Sequence, residues 1–423
     1  MEIVDLDQRT AEVIISRLRT GLPPRQYTNL YSCGLEELML SAKRHVFGSA
    51  ANGVSLVRFI SGSWGSGKTH LFRLLTEEGF NSNFLVSTIE ISKDSAPFNK
   101  FELVMGEIVR SLASIETYGT KSNISGIGSI LEGRISSIVE SSDRHISEVI
   151  EDEKQVLWAD ASIDADWKRA IIAYWDTFRS TAPSNSVLET RGKLAQYLMG
   201  DVKLSSLPKE FGIQRVLKRD NARDFLQSLS ALTRFLGFSG LLLLFDEAEM
   251  MHSTMSRSNL SAAHNNLREL IDQIDKLENT VMVYAAVPPF FHDDRTGIKI
   301  YGALASRVGM PTNEKPRIMQ RVWNLDSIDT DLANFGKAAE KIRSIYCKAY
   351  PESARLLISS PELIERVDVV VAQHGQYEAI SRWRVVIQEC INLLDLSAEG
   401  VGLPNPIDSY HRTKSALEAL GDD

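Results

Sequence analysis

Residues 62–69 read Gly-Ser-Trp-Gly-Ser-Gly-Lys-Thr, between an apolar run over 55–60 and a helical pattern over 68–78. Gly62, Gly67, Lys68 and Thr69 satisfy G-x-x-x-x-G-K-[ST], and Gly65 adds a third glycine. A buried strand, a glycine-rich turn and a helix N-terminus in that order let backbone N–H groups converge on phosphate oxygens. Lys68 then supplies charge to the β and γ phosphates, and the Thr69 hydroxyl can ligate Mg²⁺. The nucleotide-binding set is Gly62, Ser63, Trp64, Gly65, Ser66, Gly67, Lys68, Thr69 and His70. A chance Gly/Ser loop is the bland alternative, and the flanking strand and helix argue against it.

Such a loop requires an acidic partner at the end of a neighbouring strand. The stretch LLLLFDEAE over 241–249 supplies one. Its apolar run reads as a central strand, with Asp246 at the carboxyl end, where open parallel sheets bind ligands. Asp246 is expected to hold Mg²⁺ with Thr69, and Glu247 to orient and activate the attacking water. A helix cap after a core strand is the alternative for either acid.

Outward from these motifs, strands over 84–91 and 281–286 alternate with helical patterns over 101–113, 221–235 and 260–277. This alternation predicts an α/β fold, a doubly wound parallel sheet. Lys68 and Asp246 are 178 residues apart, which fits a helical insertion between the second strand and the acidic strand. The expected organisation is an N-terminal helical segment (1–50), a core (51–114 and 221–325), an insertion (115–220) and a C-terminal helical lid (326–423). Helical spacing of Leu332, Phe335, Ala339, Ile342 and Ile345, and of Trp383, Val386, Ile387, Cys390 and Leu394, marks the lid.

The composition is that of an ordinary globular protein. Of 423 residues, 47 are basic and 55 acidic, a formal net charge of −8, which excludes a histone-like coat for nucleic acid but not a local basic groove. Arg215, Lys218, Arg219 and Arg223 are the candidate DNA contacts, a solvated helix face being the better reading. Cys33, Cys347 and Cys390 lack metal-ligand spacing and read as reduced thiols. The acidic opening MEIVDLDQ is no signal peptide, and no apolar run approaches the ~20 residues of a membrane helix, so a cytoplasmic protein without a membrane partner is expected.

Two further arginines are candidates for transition-state charge. Arg307, in YGALASRVG, follows the strand over 281–286 and suits a finger acting on a neighbouring subunit, an ordinary surface arginine being the equal alternative. Arg382 and Arg384 flank Trp383 about 200° apart on a helix, so at most one faces a nucleotide; Arg382 is favoured. Against these stands the apolar segment Ala285, Ala286 and Val287, where a polar residue near the γ-phosphate is usual; only Tyr284 could substitute.

RTAEVIISRLRTGLPPR at the start, GSWGSGKTHLFRLL, GFSGLLLLFDEAEMM and the closing SRWRVVIQECINLLDL, in that order, resemble the ATP-binding protein of some BREX-type phage-defence systems. That group is similar to AAA+ ATPases related to origin-recognition and STAND proteins. The resemblance spans about residues 9–396 and is weakest across 115–205. It implies a P-loop AAA+-like core, a helical lid, ATP and Mg²⁺ as cofactors, and work beside DNA-modifying or helicase partners. Val287 departs from the polar residue that relatives tend to carry before proline. Two functions compete: a Mg²⁺-dependent ATPase that couples nucleotide state to self-association or DNA engagement, and a nucleotide-sensing scaffold with little turnover. Intact Glu247 favours the first, and the apolar 285–287 segment the second. A small-molecule kinase fits the long insertion and C-terminal helices less well.

Overall fold

The computed structural model describes all residues except 1–2, 93–94, 119–125, 181–182, 202, 204–206, 208, 249–255, 318–319, 329–331, 376–379 and 420–423. The described residues include a six-stranded sheet made of β1 (Leu56–Ser61), β2 (Phe84–Glu90), β3 (Leu112–Ala113), β4 (Gly240–Asp246), β5 (Thr280–Ala286) and β6 (Val322–Asn324). Their order is β3-β2-β4-β5-β1-β6. β2, β4 and β5 pair in parallel, with Glu90 opposite Asp246 and Phe245 opposite Tyr284; the short β3 runs antiparallel to β2. The fold is therefore α/β with a mostly parallel sheet, the P-loop ATPase kind, as the alternation of strands and helices predicts. The chain divides into two compact units, residues 42–59 with 78–310 and residues 1–41 with 60–77 and 311–423.

In the first unit, β4 and β5 have no polar face. Leu241 to Phe245 and Val281 to Ala286 are all buried, as expected for central strands covered on both sides. The Phe245 and Tyr284 rings stack 4.5 Å apart at 7°, and Phe59 stacks on the other side of Tyr284 at 5.3 Å. Four helices, Gly126–Ser142, Ile146–Ala159, Ala165–Asp176 and Ser184–Leu198, occupy the region expected to be helical. Their core is aromatic: Trp167 stacks on Phe225 at 5.6 Å, and Trp175 donates from Nε1 to the Leu131 carbonyl at 3.1 Å. Trp158, in contrast, is exposed on its helix.

The second unit is helical around the C-terminal chain. Helix Gln8–Arg19 packs with Ala333–Ala349, Ser360–Gln373, Arg382–Ala398 and Pro406–Ala419 in one apolar cluster that includes Ile14, Ile15, Phe335, Ile342, Val367 and Leu394. Arg19 clasps Asp395 with two hydrogen bonds of 2.8 and 2.6 Å, and Tyr346 donates to the same carboxylate at 2.7 Å. One expectation changes here: Leu332 is exposed ahead of its helix instead of in the apolar stripe. The helix beginning at Arg382 is followed by another, Pro406–Ala419, which is weakly amphipathic, so its periodicity is faint in the sequence.

Candidate nucleotide-binding site

The loop over 62–69 leaves the carboxyl end of β1 and enters helix Lys68–Asn81. Gly65 and Gly67 adopt φ of +74° and +97°, a left-handed backbone that side chains other than glycine disfavour. Gly62 has no room for a Cβ: it would lie 2.2 Å from Ser66 Oγ and 3.4 Å from Leu325 Cβ. At Gly65 the obstruction is the Ser381 side chain, 2.7 Å from where a Cβ would stand. Ser381 caps helix Arg382–Ala398, its hydroxyl accepting from the Arg384 N–H. Within this unit, therefore, the start of a C-terminal helix lies directly on the phosphate-type loop.

The loop's polar groups are ordered around Lys68. Its ammonium donates to the Gly62 and Ser63 carbonyls at 2.8 and 3.0 Å and lies 5.7 Å from the Trp64 ring. Trp64 itself is 63% exposed. Ser66 Oγ is buried with no hydrogen-bond partner among the described residues. An orphaned hydroxyl, left-handed glycines and a lysine beside a helix N-terminus fit an anionic phosphate well. Thr69 is exposed at the first turn of the helix. The His70 ring turns toward Ser32 Oγ at 2.9 Å and the Tyr31 ring at 5.4 Å; desolvation pulls its pKa down to about 4, so it brings no cationic charge to the site at neutral pH.

In the other unit, β4 ends at Asp246 with the backbone held on both flanks. The Asp246 carbonyl accepts from Ile91 N–H at 3.0 Å, and Ala248 N–H donates to Ala285 at 3.0 Å. Between them Glu247 takes φ +55°, and its N–H donates to Asp246 Oδ1 at 3.0 Å. A left-handed glutamate costs roughly 1 kcal/mol or more, and such strain gathers at functional positions. Tyr284 cannot replace the missing polar residue. It is fully buried opposite Phe245, its hydroxyl is 3.8 Å from the Met282 sulfur, and burial raises its pKa.

The arginines are held by local partners. Arg307, on the short helix Gly302–Val308, pairs with Asp272, which raises its pKa, and donates to the Ala303 carbonyl at 2.7 Å. Arg382 donates to the His374 carbonyl at 3.2 and 2.8 Å, while the exposed Arg384 lies over Gly21, 3.8 Å from where a Cβ would stand. Of the candidate DNA contacts, Arg215 pairs with Asp164 and Arg223 with Glu269, whereas Lys218 and Arg219 are exposed on the turn before helix Ala222–Phe235.

Residues 6–403 match the family model described as BREX system ATP-binding protein BrxC/D. The chain belongs to this family. Membership gives this BREX protein an ATP-binding role in phage defence, with other proteins of the system as its partners. A search of curated proteins finds no match to the chain. No helix among the described residues of this BREX protein is long and apolar enough to cross a membrane. Two residues beside the loop escape sequence reasoning, Ser381 and Asp326, whose carboxylate accepts from Ser63. Ser381 had a signal, a serine just ahead of a helical run. Asp326 had none.

Proposed function

We propose that this BREX protein is a Mg²⁺-dependent ATPase of the AAA+ kind whose nucleotide state controls self-association or engagement of DNA or a defence partner. The carrying observation is the loop geometry: left-handed Gly65 and Gly67, Lys68 over the loop carbonyls, and the buried, unpartnered Ser66 hydroxyl. Gly62 to His70 bind the phosphates of ATP, Lys68 reaching the β and γ phosphates; the His70 contribution is limited to its backbone, since its ring is neutral. Thr69 and Asp246 supply hard oxygen donors suited to Mg²⁺. Mg²⁺ when bound neutralises phosphate charge. Glu247 accepts the proton of the attacking water.

Loop and acid are assigned to one nucleotide because a phosphate loop of this kind works with an acidic residue at the carboxyl end of a parallel strand, the position that Asp246 holds on β4. The core, the insertion over 115–220 and the lid over 326–423 are the working parts of this reading. Arg382 reports the nucleotide from the lid, with Arg384 as the alternative, because the capped start of their helix touches Gly65. Lys218 and Arg219 are the better DNA candidates, since Arg215 and Arg223 are already paired.

A scaffold that binds ATP with little turnover is the second reading. The observation in its favour is the apolar end of β5, where Tyr284 is sealed into the core. Turnover measured with and without DNA separates the two. Steady Mg²⁺-dependent phosphate release supports the ATPase, and ATP binding without release supports the scaffold.

Arg307 acts in trans. Its pair with Asp272 is partly exposed to solvent, where ion pairs are weak, so it exchanges for a phosphate of a second copy. Mixing Arg307→Ala with Glu247→Gln protein is expected to restore part of the activity, because one interface type joins an intact finger to an intact base. Co-assembly without recovery removes Arg307 from the mechanism.

A further inference from the structure

Asp326 stands on the short turn Leu325–Ser327 that follows β6. Its carboxylate accepts the Ser63 N–H at 3.1 and 3.0 Å and the Ser63 hydroxyl at 2.9 Å. The Ser63 N–H and the Gly62 carbonyl belong to one peptide group, and that carbonyl accepts from Lys68 at 2.8 Å. One peptide thus lies between an ammonium and a carboxylate, each polarising it toward the other. Leu325 closes the same contact from the side, at 3.4 Å from the place of a Gly62 Cβ. The turn is itself braced: Asn324 Oδ1 accepts from the Asp326 N–H at 3.2 Å, and Ser327 Oγ donates to the Asn324 carbonyl at 2.7 Å. Asp326 is therefore a fixed negative charge attached to the loop, across the Gly62–Ser63 peptide from Lys68.

We propose that Asp326 is a positioning residue of the nucleotide site: through the Gly62–Ser63 peptide that it polarises, it holds Lys68 to the Gly62 carbonyl against the pull of a terminal phosphate, and so sets the preference between ATP and ADP. This rests on the phosphate-binding reading of the loop. A triphosphate brings more negative charge to the loop than a diphosphate does, and the Asp326 carboxylate repels that charge. When Lys68 turns from the Gly62 carbonyl to a phosphate, the peptide loses its cationic end and holds Asp326 less firmly. The carboxylate raises the cost of ATP binding more than that of ADP binding. Because Asp326 precedes the C-terminal helices in the chain, the same step gives nucleotide binding a grip on the segment that enters them.

The test is calorimetric titration of Asp326→Asn with ATP and with ADP, each with Mg²⁺. The amide keeps an oxygen for the Ser63 N–H and removes the charge, so loop geometry is retained. Expected is ATP binding about three- to tenfold tighter than wild type, a smaller gain for ADP, and a weaker dependence of the ATP/ADP ratio on salt. Asp326→Ala is expected to shift the ratio in the same direction even if its unfolding temperature falls, which separates charge from bracing. Unchanged or weaker ATP binding by both variants overturns the proposal, since Asp326 would then be a structural brace or a metal-holding group. Lys68→Ala serves as the control: if it binds ATP like wild type, the phosphate-loop reading fails, independently of Asp326.

Discussion

Lys68→Ala is expected to fold as wild type and to lose ATP affinity by about 10²-fold or more. Charge-assisted hydrogen bonds contribute roughly 1.5–3 kcal/mol each, and in the proposed site Lys68 makes them to two phosphates. The bonds it now makes to Gly62 and Ser63 are to backbone carbonyls at the edge of the loop, and the strand before it and the helix after it are built on other contacts. β1 buries Phe59 and Ile60, and the helix buries Leu71, Phe72, Leu74 and Leu75, none of which depends on the ammonium. Calorimetry checks the affinity, and thermal unfolding checks the fold. Equal affinity for the variant and wild type would remove the phosphate from the loop.

The second large effect is on rate. Glu247→Gln is expected to keep ATP–Mg²⁺ binding and to hydrolyse about 10²-fold more slowly or worse, because an amide cannot take a proton from water. The swap leaves size and backbone preference nearly unchanged, so the left-handed turn at Glu247 and its N–H bond to Asp246 persist. Single-turnover phosphate release reads the loss. Wild-type rates in the variant would assign the base elsewhere.

What the sequence showed and what it hid follow from the range of the interactions. Gly65 and Gly67 were legible because a local backbone need, φ above zero, selects glycine. β4 and β5 were legible because strands buried on both faces must be apolar throughout. β3 and β6 were not, since two or three residues carry no period. The contact of Ser381 with Gly65 joins residues more than three hundred positions apart, and that of Asp326 with Ser63 more than two hundred and fifty. No spacing rule covers such a distance. Arg382 and Arg384 were found as a pair, but their partners, the His374 carbonyl and the turn at Gly21, are set by packing of the C-terminal helices on the N-terminal one. Tyr284 illustrates the opposite limit. Its hydroxyl made it a candidate polar group, but both faces of β5 are covered, so it is sealed in the core beside Phe245.

If ATP works through assembly, Arg382 has a specific place in the account. Differential contact with ATP and ADP is what lets a ligand shift a conformational equilibrium. Ser381, which caps the helix that Arg382 begins, lies against Gly65 of the loop, and in the proposed mechanism a change at the phosphates reaches Arg382 through that contact. The most direct measurement is sedimentation velocity of the wild-type chain with ATP–Mg²⁺, with ADP–Mg²⁺ and without nucleotide, repeated with DNA present. Expected is a larger sedimenting species, or a DNA-bound one, with ATP–Mg²⁺ but not with ADP–Mg²⁺ or without nucleotide, and a weakened response in Arg382→Ala at saturating ATP. Identical profiles under all three nucleotide conditions, with and without DNA, would contradict it.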